Sequence, residues 1–274
     1  MNSSGAPAWR DIQSLIITTF AVGMLFLSGC AITSQSTGVV AVESGKNECV
    51  ILLHGLGRTS KSMDKIQEAL VQAGFHTVNF DYPSRKSSVE QLATNHIPDA
   101  IARCQELHPD RIHFVTHSLG GIVARMAIQQ QRPDNFGRIV MLSPPNRGSE
   151  AADVLQNRWL YSWINGPAGQ ELSTSPDSIP NQLGPADYPA GIIMGEDQTF
   201  FDAWVASLYS GADGEAVFSG PNDGKISIER AKLKGMTDFI VVPENHTHIM
   251  KSEYVHYQTV EFLNHGRFSD DEAR

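Results

Sequence analysis

Length, composition and charge already narrow the kinds of protein that this sequence can form. The chain has 274 residues, with 21 Lys and Arg against 30 Asp and Glu, and a formal net charge of −9. An acidic surface argues against a nucleic-acid partner. Residues 46–268 are enough to bury one sizeable core, and we find no internal repeat or low-complexity tract. No Cys/His cluster has the spacing of metal ligands, so we expect no metal site.

The chain begins with an apolar segment that ends at a cysteine. Residues 12–29 carry no charge, and their strongly apolar part is shorter than the roughly 20 residues of a membrane-spanning helix. The ending Leu27-Ser28-Gly29-Cys30 resembles the lipobox of bacterial lipoprotein signal peptides. This resemblance implies that residues 1–29 are removed, with diacylglycerol on the Cys30 thiol and an acyl chain on its amine. An uncleaved anchor, or an apolar signal with a chance cysteine, is the alternative.

Residues 30–45 are expected to form the lipidated cysteine and a short tether. They contain Ser, Thr and Gly with few large apolar side chains. Several acyl chains anchor a protein stably, since each buried methylene contributes about 0.8 kcal/mol. Ala31 follows the cysteine, and in Gram-negative lipoproteins this resemblance favours sorting to the outer membrane, facing the periplasm. Membrane attachment through Cys30 is therefore the expected localisation.

The two remaining cysteines leave their pairing open. In an oxidising periplasm, Cys49 and Cys104 could form a disulfide. Cys49 begins a predicted strand and Cys104 lies in a predicted helix, so the geometry could also forbid the bond. Buried free thiols are the alternative.

Residues 46–268 alternate strand-like apolar runs with helical patterns, followed by a polar tail at 269–274. This alternation predicts βαβ units, with a mostly parallel sheet of about six strands flanked by helices. The predicted strands are 49–54, 76–80, 112–116, 138–142, 191–194 and 239–242, and the predicted helices are 62–73, 89–107, 120–131 and 253–264.

The most informative segment places Ser118 on a sharp turn between a strand and a helix. The strand is the apolar run 112–116, and the helix follows Gly120-Gly121. Such a turn exposes a hydroxyl at the carboxyl end of a parallel sheet and leaves the first helical N–H groups free to face negative charge. Turns of this kind have the motif Gly-x-Ser-x-Gly. Thr116 stands two residues before the serine, in place of the first glycine, and we expect its side chain to crowd the turn.

The alternation stops between residues 146 and 190. This insertion contains Trp159, Tyr161 and Trp163, followed by a Pro/Gly/Ser-rich run. Because it follows the carboxyl end of a strand, we expect it to lie over the site as a lid or acyl-binding wall. An ordinary helix that packs its tryptophans into the core is the alternative.

Together these features resemble the α/β-hydrolase superfamily, specifically small bacterial esterases and lipases. The resemblance implies the α/β-hydrolase fold, and the nucleophile, acid and base occur in the order Ser, Asp, His that this fold requires. The resemblance rests on four sequence blocks: Val50-Ile-Leu-Leu-His-Gly-Leu-Gly-Arg58, Thr116-His-Ser-Leu-Gly-Gly121, Gly220-Pro-Asn-Asp-Gly-Lys-Ile-Ser227 and Pro243-Glu-Asn-His-Thr-His248.

The resemblance also implies the roles of individual residues. The backbone N–H groups of Leu56 and Leu119 would form the oxyanion hole.

Ser118 would be the nucleophile, and the same resemblance implies its partners. The base would be His246, with His248 as the alternative, and the acid that orients it would be Asp223, with Asp197 as the alternative. His117 is expected to point away from the reaction.

These residues predict a serine hydrolase that cleaves carboxylic esters through an acyl-enzyme. No metal or organic cofactor is needed for this chemistry. The apolar insertion and the membrane tether favour acyl esters or lipids as substrates. Two alternatives remain: an acyltransferase that uses the same three residues, and a non-catalytic envelope binding protein on a hydrolase scaffold.

Overall fold

A seven-stranded sheet forms the centre of this computed structural model. The strand order is β1-β3-β2-β4-β5-β6-β7, and all neighbours are parallel except β1, which runs antiparallel to β3. The predicted mostly parallel sheet is therefore confirmed. The strands are β1 (Val39–Val40), β2 (Glu48–Leu53), β3 (His76–Phe80), β4 (Arg111–His117), β5 (Phe136–Leu142), β6 (Ala190–Gly195) and β7 (Asp238–Val242).

The structure describes most of the chain from residue 38 onwards. All described residues belong to one compact unit, Ser36–Arg274. Cys30 and the predicted signal segment lie outside the described residues, so the lipidation and its localisation remain predictions. No helix in the described part is long and apolar enough to cross a membrane. The described residues are 38–42, 46–156, 166–198, 218 and 220–271.

Helices cover both faces of the sheet. Helices α2 and α3 pack on one face, and α1 and α7 pack on the other. A four-residue 3-10 helix spans Ser60–Met63, and a three-residue 3-10 helix spans Ile249–Lys251. The α-helices are α1 (Asp64–Gln72), α2 (Val89–Gln105), α3 (Leu119–Gln130), α4 (Glu150–Gln156), α5 (Ile179–Gln182), α6 (Ile228–Ala231) and α7 (Glu253–His265), and residues 166–170 are also helical.

The central strands are uniformly apolar because both of their faces are buried. In β2, Ile51 and Leu53 pack with Phe114 in the core beneath α2 and α3. Their neighbours Val50 and Leu52 belong to the core on the opposite face. Side chains alternate between the faces of a strand, so a parallel strand covered on both sides carries apolar residues throughout.

The observed sheet differs from the predicted one by a short additional edge strand, β1. It falls within residues 30–45, where a tether is expected, and it pairs with β3 through Val39 and Val40. Gly38 has a φ of +65°, and a Cβ there would lie 2.2 Å from the carbonyl oxygen of Asn79. A two-residue strand carries no detectable alternation, so its sequence does not reveal it.

The two cysteines form a disulfide across the sheet–helix interface. Cys49 in β2 and Cys104 in α2 are fully buried, with a Cα–Cα distance of 5.9 Å, and they lie 55 positions apart in the sequence. The geometry therefore permits the bond that the sequence left open.

The described parts of the insertion are attached to the scaffold by hydrogen bonds. The Ala168 amide donates to the Ser87 carbonyl oxygen (3.2 Å), and the Val89 amide at the start of α2 donates to Glu171 Oε2 (2.7 Å). The role of the insertion as a lid remains a prediction. The three aromatic side chains that motivated it lie outside the described residues: Trp159, Tyr161 and Trp163.

Candidate active site

Ser118 occupies a strained turn between β4 and α3. Strand β4 ends at His117 and the helix begins at Leu119. The backbone of Ser118 has φ 52° and ψ −121°, a conformation that side-chain-bearing residues rarely adopt. Its amide donates to the Leu142 carbonyl oxygen of β5 (2.9 Å). The turn is thus fixed to the neighbouring strand with its hydroxyl only partly buried.

Two glycines give this turn the space that it needs. A Cβ on Gly120 would lie 2.6 Å from the Leu53 carbonyl oxygen and 2.8 Å from that of His54. A Cβ on Gly121 would lie 3.3 Å from Thr116 Oγ1. The Thr116 side chain therefore lies against Gly121, three residues after Ser118, where a missing side chain makes room for it.

His246 connects Ser118 to a carboxylate. Its Nε2 is 3.0 Å from Ser118 Oγ, and its Nδ1 is 2.7 Å from Asp223 Oδ2. A carboxylate accepts the Nδ1 proton, so Nε2 keeps a lone pair that can accept the serine proton. His246 and Asp223 are only 4% and 2% exposed. The structure thus joins these three side chains in one hydrogen-bonded chain.

Asp223 makes several contacts that hold its carboxylate in place. Its Oδ1 accepts hydrogen bonds from the amides of Lys225 and Ile226 (both 3.0 Å). Its own carbonyl oxygen accepts the His246 amide (3.0 Å). The end of β6 permits this approach, because a Cβ on Gly195 would lie 3.2 Å from Asp223 Cβ.

The geometry distinguishes between the alternatives that the sequence left open. The carboxylate that is hydrogen-bonded to His246 Nδ1 is that of Asp223 rather than Asp197. The imidazole that is hydrogen-bonded to Ser118 Oγ is that of His246 rather than His248. Asn245 shapes this loop, because its Oδ1 accepts from the amides of Thr247 and His248 (both 3.0 Å).

His117 lies beside His246 and contacts its main chain. Its Nε2 donates to the His246 carbonyl oxygen (2.9 Å), and the two rings are 5.0 Å apart between centroids. Burial lowers the pKa of His117 well below its ordinary value of 6.5, so the ring is neutral. His117 therefore contacts the main chain of the residue that binds Ser118 Oγ.

The loop after β2 packs directly against Ser118. A Cβ on Gly55 would lie 2.7 Å from His117 Nδ1 and 3.3 Å from Ser118 Cβ. Leu56 follows in this loop, and no described residue accepts a hydrogen bond from its amide. The Leu119 amide lies in the first turn of α3, where N–H groups have no intrahelical acceptor.

Ser84 supports the same loop and was not singled out by sequence reasoning. Its Oγ accepts a hydrogen bond from the Gly57 amide (3.0 Å). Gly57 has a φ of +68°, a left-handed conformation that favours glycine. Ser84 and Gly57 thus hold the segment around Leu56 in a defined shape.

Comparison with known proteins identifies the family. The model of the Alpha/beta hydrolase family matches residues 50–263. The chain belongs to the alpha/beta hydrolase family. This hydrolase is 24% identical over 216 residues to the lysosomal thioesterase PPT2 of Mus musculus. The aligned region covers 72% of this chain and 71% of that protein.

Solved structures resemble this hydrolase in fold. A Bacillus licheniformis lipase in its mature form superposes with a TM-score of 0.61 at 16% identity, covering 82% of this chain and 93% of that one. A Pyrococcus furiosus esterase superposes with a TM-score of 0.53 at 19% identity, covering 80% of this chain and 81% of that one. At these identities the likeness establishes the fold alone.

The electrostatic surroundings of this hydrolase's His246 favour the neutral ring. Burial lowers the pKa of His246 below its ordinary value of 6.5, Asp223 raises it, and the positive charges of Lys225 and Arg58 lower it further. A neutral imidazole at physiological pH is the form that can accept a proton. Within the described ranges, no group of three or more His, Cys, Asp or Glu side chains is arranged to hold a metal ion.

Proposed function

We propose that this alpha/beta hydrolase is a serine-dependent enzyme that cleaves carboxylic esters. The observation that carries the proposal is the hydrogen-bonded chain from Ser118 Oγ through His246 to Asp223, with distances of 3.0 Å and 2.7 Å. A serine hydroxyl is a weak nucleophile until a neighbouring base accepts its proton. Here the base is neutral, oriented by a carboxylate and in contact with the hydroxyl.

In the first half of the reaction, Ser118 Oγ attacks the ester carbonyl carbon while His246 Nε2 takes its proton. The carbonyl oxygen becomes an oxyanion, which accepts hydrogen bonds from the amides of Leu56 and Leu119. Asp223 stabilises the resulting imidazolium through Nδ1. The C–O bond then breaks, and the departing alcohol takes the proton from His246.

In the second half, water replaces the alcohol. His246 Nε2 removes a proton from this water as its oxygen attacks the acyl carbon on Ser118. The second oxyanion collapses, the bond to Ser118 Oγ breaks, and His246 returns the proton to the serine. The products are a carboxylic acid and the regenerated enzyme.

The comparisons support acyl esters as the substrate class. The relatives named above are a thioesterase, a lipase and an esterase by their descriptions. All three names describe hydrolysis at an acyl carbonyl carbon. The insertion at residues 146–190 would supply the wall for an apolar acyl chain, which favours lipid esters.

We propose in addition that Cys30 is lipidated and anchors the enzyme to the bacterial envelope, at the outer membrane facing the periplasm. The Leu27-Ser28-Gly29-Cys30 sequence supports this anchor. The buried Cys49–Cys104 disulfide supports an oxidising compartment, because the cytoplasm keeps thiols reduced. Labelled palmitate should enter the wild-type chain in bacterial cells but not the Cys30→Ala variant. Equal incorporation into both would contradict the anchor.

A fluorescent fluorophosphonate tests the proposed activity, because it reacts with activated serines. The purified full chain in detergent should be labelled, whereas Ser118→Ala and His246→Ala should not. His248→Ala is the matched control and should be labelled like wild type. Absence of labelling in a folded wild-type protein would contradict the proposal and favour a binding protein.

Turnover of a neutral aryl ester tests the acid. Asp223→Asn should lower kcat by about 10,000-fold, the effect expected when the carboxylate that orients a catalytic imidazole is lost. The matched variant Asp197→Asn should remain within about twofold of wild type, since Asp223 already occupies Nδ1. A large loss of kcat in Asp197→Asn, with little loss in Asp223→Asn, would instead identify Asp197 as the carboxylate that orients His246.

A further inference from the structure

Arg58 connects the two loops that flank Ser118. Its amide donates to the Gly55 carbonyl oxygen (3.2 Å), within the loop that follows β2. Its guanidinium Nη2 donates to the carbonyl oxygen of Thr247 (3.4 Å), the residue after His246. One side chain therefore reaches from the proposed oxyanion loop to the loop of the proposed base.

The guanidinium of Arg58 has unused hydrogen-bonding capacity. It has five N–H donors, and in the described part of the chain its one acceptor is the Thr247 carbonyl, with no carboxylate paired to it. The side chain is half-buried, and burial lowers the pKa of this guanidinium. Removing a cation from water without a counter-ion costs free energy, and an anionic ligand would offset that cost.

Two other cations lie near the same loops. The amide of Lys225 donates to Asp223 Oδ1 (3.0 Å), so this lysine is part of the loop that carries the proposed acid. Arg85 Cδ lies 3.5 Å from the position that a Cβ on Gly57 would take. Lys225 and Arg85 also make other contacts, so these two side chains only add positive charge near Arg58.

Two acidic side chains in or near these loops, Asp223 and Asp81, already have partners. The Asp223 carboxylate accepts from His246 and from two backbone amides. Asp81 accepts from the Ser60 amide (2.8 Å), lies 3.3 Å from His54 Nε2, and is 60% exposed to solvent. The chain as a whole has a net charge of −9, so the positive charge of Arg58 and Lys225 on these loops differs in sign from the average charge of the chain.

We propose that Arg58 forms an anion-binding subsite for a phosphate or carboxylate group on the alcohol portion of the ester. The proposal rests on the proposed function and names the substrate class more closely. A guanidinium binds a pair of anionic oxygens through two parallel N–H···O bonds, which a lysine ammonium cannot reproduce. The subsite therefore selects anionic esters, such as an acylated glycerol phosphate, over neutral ones.

The alcohol portion is assigned from the direction of proton transfer. His246 Nε2 gives its proton to the departing oxygen, so the alcohol lies beside the His246 loop. Arg58 contacts the next residue of that loop, Thr247. An anionic group attached to the alcohol would thus approach the guanidinium as the carbonyl carbon approaches Ser118.

Two pairs of esters with the same acyl group test the subsite on the full chain in detergent. The first pair is 4-hexanoyloxybenzoate and its neutral methyl ester, and the second is monohexanoylglycerol 3-phosphate and monohexanoylglycerol. Wild type should favour the anionic member at least tenfold in kcat/KM. A preference in the first pair alone assigns a carboxylate, and a preference in the second alone assigns a phosphate. No preference in either pair would overturn the proposal.

The Arg58→Gln variant tests whether Arg58 causes this preference. The ratio of anionic to neutral kcat/KM should fall at least tenfold, mainly through KM, and Arg58→Lys should retain an intermediate ratio. Lys61→Gln is the matched control, since it removes an equal charge from an exposed position three residues away, and it should leave the ratio within twofold of wild type. Equal losses on both esters would overturn the proposal and assign a structural role to Arg58.

Inorganic phosphate provides a test that does not depend on the folding of Arg58→Gln. Phosphate should inhibit wild-type hydrolysis of the neutral ester competitively, and Arg58→Lys should raise its inhibition constant several-fold. Absence of inhibition at phosphate concentrations that saturate ordinary phosphate sites would contradict a phosphate subsite. If Ser118→Ala and wild type hydrolyse the neutral ester equally, the serine mechanism fails instead, so the two failures are distinguishable.

Discussion

The strained backbone of Ser118 depends on the residues that surround it. A φ of 52° at a side-chain-bearing residue costs free energy, and such strain persists only when neighbouring contacts hold it. The Ser118 amide bonds to β5, and Gly120 lies against the carbonyl oxygens of β2 and the loop after it. The position of the hydroxyl is therefore set by two neighbouring strands as well as by the local turn.

The lowered pKa of His246 predicts activity in mildly acidic solution. The ring must be neutral to accept the serine proton, so kcat/KM falls as pH drops through its pKa. Burial lowers this pKa below 6.5, and the charge of Lys225 lowers it further. A pH profile measured with a neutral ester should therefore reach half of its maximum below pH 6.5.

A substitution at Lys225 tests whether its positive charge lowers the pKa of His246. Lys225→Met removes a positive charge and should move the acidic midpoint to higher pH. Lys65→Met, at an exposed site, should leave the midpoint unchanged. A wild-type midpoint above 6.5 would mean that burial does not control the titration of His246.

We expect His117 to position His246, because its ring is hydrogen-bonded to the main chain of that residue. His117→Phe keeps a ring but removes the hydrogen bond to the His246 carbonyl oxygen. We expect kcat to fall about tenfold with little change in KM, because a small displacement of a catalytic group slows the chemical step. His117→Gln, which can donate from a similar position, should recover most of the rate.

His113→Phe is the control, since His113 is a buried histidine in the same strand that accepts a hydrogen bond from the Arg138 amide (3.0 Å). It should lower stability without a selective loss of kcat. If His117→Gln is as slow as His117→Phe, the hydrogen bond has no role in positioning.

Among the secondary-structure elements, helix α3 attaches the insertion to the scaffold through a buried arginine. Arg125 is 3% exposed. It donates to the carbonyl oxygen and Oδ1 of Asn146 (both 3.1 Å), and to the carbonyl oxygens of Leu183 and Gly184 (3.0 and 3.2 Å). Both ends of the segment 146–184 are thereby tied to one side chain.

Loss of this arginine should destabilise the protein. Arg125→Met should lower the free energy of unfolding by about 3 kcal/mol, because several buried acceptors lose their donor. The matched variant Arg132→Met removes an exposed ion pair with Asp187 and should cost less than about 1 kcal/mol. Urea unfolding measures both values, and equal losses would contradict the special role of Arg125.

For the protein as a whole, the disulfide is expected to be a principal source of stability. It closes a loop between residues of β2 and α2 that lie 55 positions apart. A loop of this length restricts the unfolded chain enough to contribute about 4 kcal/mol. Dithiothreitol should lower the unfolding free energy of wild type by this amount, and it should not affect the Cys49→Ala/Cys104→Ala variant. An equal response of both proteins would contradict the prediction.

Much of the fold was predictable because its signals are local. The strand predicted at 49–54 occurs at Glu48–Leu53, and the helix predicted at 89–107 occurs at Val89–Gln105. Helix α2 begins with a capping box in which the side chain of Ser88 and that of Gln91 each bond the other's backbone amide. Errors of one or two residues arise at the ends, where apolar periodicity is weakest.

The sequence alone determined the order of strands and helices, the turn at Ser118, and the family resemblance, because these depend on neighbouring residues and short motifs. Only the tertiary structure decided that Asp223 and His246 meet, that Cys49 pairs with Cys104, and that Arg58 reaches the His246 loop. These contacts join residues 23, 55 and 189 positions apart. Such distances depend on how the sheet and its loops pack, which local periodicity does not specify.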